Sequence, residues 1–203
     1  MKPKIQSPID LKIQQHLDLT PPSNWVQRFA HLVKPSGSLL DVACGTGRHS
    51  QWFADKGCAV TALDVSDEAL AMLSRHSPSV RTVQADIENA VWPLTVNDQF
   101  EVFDAIVVTN YLHRPLMPTL LASLANGGVL IYETFAVGNE SVGKPSRADF
   151  LLERGELLAL CQDLNIVAFE DGFLSSPDRF VQRIVAIKMH RSLELNLPQR
   201  FHL

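Results

Sequence analysis

The run Leu39-Leu40-Asp41-Val42-Ala43-Cys44-Gly45-Thr46-Gly47-Arg48-His49-Ser50 constrains the fold of this chain more than any other segment. A short apolar stretch ends in a small, glycine-containing turn, and helix-compatible residues follow. The order is strand, tight loop, helix N-terminus. Such a junction lets backbone approach a ligand closely and aims free N–H groups at it. A second apolar run ends in Asp64, 17 positions after Gly47. A carboxylate at that place can accept hydrogen bonds from both hydroxyls of a ribose. The combination points to a sheet that holds a nucleoside.

The rest of the chain repeats the alternation. Ser23 or Asn24 can cap a helix carrying Trp25, Val26, Phe29, Leu32 and Val33 on one face. Strands are expected over 38–42, 59–63, 80–84, 103–109 and 129–133. Helices are expected over 47–56, 67–75 and 118–125, with Gly57 stopping the first and Ser66 capping the second. Phe103–Thr109 is an unbroken apolar run, as in strands buried on both faces. Asn126-Gly127-Gly128 reads as a turn. After a polar loop over 136–148 and a helix over 156–164, strands over 166–169 and 180–187 follow each other without a helix, so they pair antiparallel. The expected fold is α/β and Rossmann-like: a doubly wound, seven-stranded, mostly parallel sheet in an α/β/α sandwich. Its antiparallel strand belongs to the C-terminal hairpin and is placed at the edge.

At 203 residues the chain suits one domain over 23–203 preceded by an arm over 1–22, in which a short helix is expected near Ile9–Leu17. The net charge of −4 argues against a protein that grips nucleic acid through its backbone. Cys44, Cys58 and Cys161 are too scattered for a disulfide framework or a zinc site, so no metal is expected. No apolar run reaches membrane-spanning length, and residues 1–8 lack a signal-peptide core, so a cytoplasmic location is expected.

Dinucleotide binders carry Gly-x-Gly-x-x-Gly at such a turn. Here Ser50 stands where the third glycine would be, and Asp41 lies inside the first strand's end. An acid there is awkward beside a pyrophosphate and welcome beside a cationic ligand. The run from Asp41 to Ser50 resembles the first motif of class I S-adenosylmethionine-dependent methyltransferases. Its Gly-Arg-x-Ser ending is most similar to the small tellurite-resistance type, and the resemblance extends over roughly residues 23–189 once the βα alternation is counted. It implies that Ala43, Cys44, Gly45 and Gly47 underlie the methionine part of the cofactor, with Asp41 near its amino group and His49 ordering the loop. It further implies that Asp64 grips the ribose, that Val65 packs on the adenine, and that Asp86 and Ile87 meet the adenine edge. Asn110 and Leu112 would close over the methionyl end. Ala43 replaces the motif's first glycine.

The product would be S-adenosylhomocysteine. A sulfonium methyl is already activated, so the protein must mainly align the reactants, exclude water and balance charge. Candidates for further chemistry follow the fourth long strand: His113 as a base, Arg114 as a clamp for an anion, and Tyr111 packing on cofactor or substrate. Glu133 should face the same cleft or pair with Arg147 or Lys144. The loop over 136–148 reads as a lid pivoting at Gly138 and Gly143, and Arg179 and Arg183 could charge the rim. Trp25 and Phe29 either close over the site or pack in the core. The implied acceptor is small: a thiol, a metalloid oxyanion or a metabolite. A protein or RNA acceptor, or a module that binds the cofactor without turnover, are the alternatives.

Overall fold

The computed structural model describes residues 21–189 and Phe201, so the expected arm helix lies outside the described residues. Helix α1 (Asn24–Phe29) is capped by Ser23, whose side chain accepts from the Trp25 N–H, and it ends in a 3-10 turn over Ala30–Leu32. Strand β1 (Ser38–Val42) leads through the glycine loop into α2 (Arg48–Asp55), followed by β2 (Ala59–Asp64) and α3 (Asp67–His76). Ser66 caps α3 by accepting from the Ala69 N–H, and Asp67 and Glu68 in its first turn suit the positive end of its dipole. Strand β3 (Arg81–Gln84) follows.

A small hairpin of β4 (Thr95–Val96) and β5 (Gln99–Phe100) was not expected. Asn97 and Asp98 make its two-residue turn, both with positive φ, as the twist of a tight hairpin demands. Then come β6 (Phe103–Thr109), a 3-10 turn over Arg114–Leu116, α4 (Met117–Ala122), β7 (Leu124–Phe135), α5 (Glu156–Leu160), β8 (Asn165–Leu174) and β9 (Arg179–Ile187). Strand β7 runs straight through the expected Asn126–Gly128 turn. The irregularity survives as a register shift opposite Phe103 and Ala105, with Gly127 at φ +79° inside the strand.

The large sheet has the order β3-β2-β1-β6-β7-β9-β8. All neighbours are parallel except those involving β9, which is antiparallel to both β7 and β8. The reversed strand is therefore not at the edge, as expected, but second from it. Strand β8 takes the edge because β9 pairs with β7 over Val129–Phe135 and with β8 on its other side.

Two apolar layers cover the sheet. Trp25, Val26 and Phe29 of α1, Phe53 of α2, and Leu70 and Leu73 of α3 pack on one face. Met117 and Leu120 of α4 and Leu157 of α5 pack on the other with Leu94 and Leu112. Central β6 is sandwiched between them, with Ala105, Ile106, Val107 and Val108 fully buried. Each of the Ile and Val side chains among them contributes roughly 1.5–3 kcal/mol. This slab fixes the strand ends, and the site lies on their C-terminal rim.

Candidate active site

Three residues of left-handed backbone shape the loop after β1: Ala43 (φ +51°), Gly45 (φ +55°) and Gly47 (φ +80°). Gly47 has no steric alternative, because a Cβ there would lie 2.5 Å from a Leu73 methyl of α3. Above Gly45 a Cβ would meet nothing within 4 Å, so the loop's upper surface is open to a ligand. Ala43 holds a conformation that L side chains rarely adopt, at a cost of about 1 kcal/mol. Cys44 is buried, its N–H bonds the Leu63 carbonyl, and burial pushes its thiol well above the usual range. It is a packing residue.

Asp64 ends β2 and organises this loop. One oxygen accepts from the Gly45 N–H at 2.7 Å and the other from the Ser66 N–H at 2.9 Å. Each oxygen keeps a second lone pair for ribose hydroxyls. The neighbouring Val65 side chain is 63% exposed, free to pack on a flat ring. Asp86, beyond β3, is exposed and accepts from the Glu88 and Asn89 N–H groups and from the Asn89 side-chain amide. The Asn89 and Glu88 bonds, with a smaller contribution from the charge of His113, hold its carboxyl below the usual range. Ile87 is half-buried against the core.

Asp41 is nearly sealed from solvent under the loop, where Ser50 Oγ of α2 donates to its carboxylate at 2.6 Å. Burial pushes its pKa up to about 6, against the pull of the Ser50 bonds and the charge of Arg48. The expected proximity to a ligand's amino group is thus a through-space one in this conformation: the carboxylate points at Ser50. A cation above the loop would offset its poor solvation.

The loop after β6 differs most from expectation. Asn110 turns the chain at φ +55°, and its N–H donates to the Glu133 carbonyl. Tyr111 is half-buried. Burial and then the nearby charge of Glu88, with smaller contributions from Asp86 and Asp64, raise its hydroxyl pKa, which disqualifies it as a proton acceptor and puts it on the acidic rim. Leu112 is in the core. His113 precedes the 3-10 turn and lies close enough to Asp86 to influence its ionisation, on the expected adenine side rather than the methionyl side. Arg114 is not a free clamp. Its Nε and Nη2 make a fork on Glu156 at 2.6 and 2.8 Å, and its remaining donors bond the Asp149 and Leu151 carbonyls. It ties this loop to the segment leading into α5.

Glu133, at the end of β7, is buried and pairs with neither Arg147 nor Lys144. Its Oε1 accepts from Ser23 Oγ at 2.8 Å and its Oε2 from Arg183 Nη1 at 3.2 Å. Arg183 also donates to Glu170, so it adds no free charge to the rim. Trp25 and Phe29 are core residues. His49 is buried and accepts from the Ser23 N–H at 3.1 Å. Burial, with help from Arg48, lowers its pKa to about 3, so it is neutral and transfers no proton near neutrality. The lid expected over 136–148 is pinned in its middle: Asn139 is buried, its amide donates to the Pro145 carbonyl, and its Oδ1 accepts from the Phe180 N–H. Phe180 stacks against Gly138, where a Cβ would clash at 2.9 Å. Beneath the loop's start is a cavity of about 230 Å³ lined by Val137, Leu152, Arg154 and Phe180 among others.

Arg48 in the first turn of α2 and Arg179 at the start of β9 are among the described cations that make no salt bridge. They lie close enough for Arg179 to depress the Arg48 pKa, with burial as the larger cause and with Glu133 and Asp41 opposing it. Arg179 Nε is buried with no hydrogen-bond partner. The sequence motif drew attention to Arg48 only as a loop residue; nothing local pairs it with a residue 131 positions away.

An open glycine loop, acids near the ends of β1, β2 and β3, and a reversed penultimate strand meet on one rim of the sheet. Residues 39–127 match the family model described as a methyltransferase domain. A malonyl-[acyl-carrier protein] O-methyltransferase of Enterobacter lignolyticus is 36% identical over 100 residues, covering 48% of this chain and 39% of that protein. A trans-aconitate 2-methyltransferase of Delftia acidovorans is 33% identical over 97 residues, covering 45% and 35%. The crystal structure of TehB from Haemophilus influenzae shares the fold with a TM-score of 0.69 at 22% identity, covering 84% of this chain and 64% of that one. The chain spans less than two thirds of each of these proteins. Residues 39–127 thus match a methyltransferase-domain model, and the chain shares its fold with solved methyltransferase structures.

Proposed function

We propose that this chain transfers the methyl group of S-adenosylmethionine to a small anionic acceptor, releasing S-adenosylhomocysteine. The residues present fit the cofactor. The open surface above Gly45 takes the methionyl part, Asp64 the ribose, and Val65, Asp86 and Ile87 the adenine. The sulfonium supplies an activated methyl group to an in-line nucleophile. The buried carboxylate of Asp41, which has no salt-bridge partner among the described residues, sets a negative field under the loop, which favours a cationic donor.

The acceptor class rests on one observation: the Arg179 Nε is buried and unsatisfied, on a cation that makes no salt bridge among the described residues and whose charge reaches Arg48. An anion there would meet the unmet donor and gain from both positive charges. The relatives' names carry a malonyl group and trans-aconitate, both anionic carboxylates near neutrality. A carboxylate, thiolate or oxyanion is already nucleophilic, so transfer needs no general base. That agrees with the neutral, buried His49 and with His113 beside Asp86.

Methyl release from labelled cofactor, assayed against malonate, trans-aconitate, tellurite, a small thiol, bulk RNA and bulk protein, tests this reading. Turnover is expected only with the small anions, and Arg179→Gln should raise their KM about tenfold or more while leaving S-adenosylhomocysteine affinity within a factor of about three. Turnover on RNA or protein would overturn the acceptor class. Cofactor binding without turnover on any acceptor would favour a sensing module.

A further inference from the structure

Ser23 joins three parts of the proposed methyl-donor rim. Its backbone N–H donates to His49 Nε2 at 3.1 Å, in the first turn of α2. Its hydroxyl donates to Glu133 Oε1 at 2.8 Å and accepts from the Trp25 N–H, so the same oxygen starts α1. The carbonyl of Glu133 accepts from the Asn110 N–H at 2.9 Å, which carries the connection to the loop after β6. One serine therefore bridges the helix after the glycine loop, the end of β7, and the strained turn at Asn110.

The junction is rigid. Ser23, His49 and Glu133 are all buried. His49 accepts at Nε2, so its proton is on Nδ1 and the ring is neutral. The second oxygen of Glu133 is held by Arg183, and Arg183 and Arg28 share the two oxygens of Glu170. Arg183 also lies 4.8 Å from the Trp25 ring centroid. Helix α1 already anchors itself through Trp25, Val26 and Phe29. The buried Glu133–Arg183 pair adds little stability over an apolar contact, and its directional bonds serve to fix relative position.

We propose that Ser23 is a positioning residue for methyl transfer, setting the helix after the glycine loop, through His49, against the Asn110 turn, through Glu133. The inference rests on reading this rim as the methyl-donor site. Alignment of reacting groups is sensitive to displacements well below the size of an atom, so loosening this junction acts on kcat more than on binding.

The test uses Ser23→Ala and Ser23→Thr in the full chain, with kcat and KM on an accepted anion, calorimetry with S-adenosylhomocysteine, and amide hydrogen exchange. Ser23→Ala keeps the backbone N–H bond to His49 but loses the hydroxyl's hold on Glu133 and the Trp25 N–H; it should lower kcat about tenfold or more, change cofactor affinity less than about threefold, and speed exchange at Asn110 and, to a smaller extent, at Gly47–Ser50. Ser23→Thr, which keeps the hydroxyl, should restore all three. Equal kcat and exchange in Ser23→Ala and the parent overturn the proposal, as does a threonine variant that regains thermal stability without regaining kcat. If the parent chain neither binds the cofactor nor turns over, the site reading fails, and exchange at Gly47–Ser50 and Asn110 alone judges the junction: unchanged exchange in Ser23→Ala refutes it, and faster exchange upholds the mechanical link.

Discussion

Replacing Asp41 by Asn isolates the cost of the buried acid beneath the glycine loop. Burial raises the Asp41 pKa from 3.8 to about 6 in the folded chain. Between those two values the folded protein keeps a proton that the unfolded chain has lost. The stability contributed by that proton is complete below about pH 4 and is lost as pH rises through about 6. A shift of about two pKa units is worth about 3 kcal/mol at alkaline pH. Asparagine is close in shape, never ionises, and can still accept the Ser50 hydroxyl. Asp41→Asn should therefore stabilise the ligand-free protein by about 3 kcal/mol near pH 8 and by about nothing near pH 4. His49 titrates equally in both proteins and cancels from the difference. Urea unfolding followed by circular dichroism across this pH range measures it. A stability difference that does not change with pH would refute the reasoning. The same substitution should weaken S-adenosylmethionine binding about tenfold, since the cation above the loop then lacks its countercharge.

Other substitutions separate packing from chemistry. Gly47→Ala forces a methyl group onto Leu73 from a left-handed backbone and should cost about 2–3 kcal/mol in chemical unfolding; a neutral result would mean that the α2–α3 contact yields freely. Arg114→Ala should lower stability by about 1–2 kcal/mol, because the Glu156 fork is only partly exposed, while leaving the acceptor KM unchanged; a raised KM would return Arg114 to the substrate. For His49 the folded pKa is depressed to about 3, so the stability it contributes is complete above about pH 6.5 and fades as pH falls toward 3. His49→Gln should accordingly flatten the acid limb of a melting-temperature profile, and an unchanged limb would show that His49 is not the group titrating.

Much of the scaffold was legible locally. All seven strands of the large sheet were expected close to where they lie, most from apolar runs and β3 from its place in the βα alternation, and Ser66, Gly57 and the Gly45–Gly47 turn set the boundaries around the nucleoside end. The β4–β5 hairpin was missed because its strands are two residues long and exposed, so they carry no alternating pattern. The Gly127-Gly128 pair looked like a turn because glycine's freedom signals one, whereas here it absorbs a register shift within β7. The position of β9 escaped a reading that knew two strands were paired but not which of them bonds β7. Side-chain partners far apart in sequence were hardest: Arg114 with Glu156, Glu133 with Ser23 and Arg183, and Asn139 with the Phe180 N–H. Periodicity reports which face a residue takes, not what it meets there. Asp41, Asp64 and Asp86 were placed correctly at three successive strand ends, but each already serves the protein's own backbone or a nearby serine.

Calorimetric titration of S-adenosylhomocysteine into the parent chain and into Asp64→Asn, with NAD as the competing nucleotide, bears most directly on the identity of the site. The parent should bind S-adenosylhomocysteine and not NAD, and Asp64→Asn should weaken that binding by about tenfold to a hundredfold through loss of charged bonds to the ribose. Equal affinity in the two proteins, or preferential uptake of NAD, would contradict a methyl-donor site on this rim.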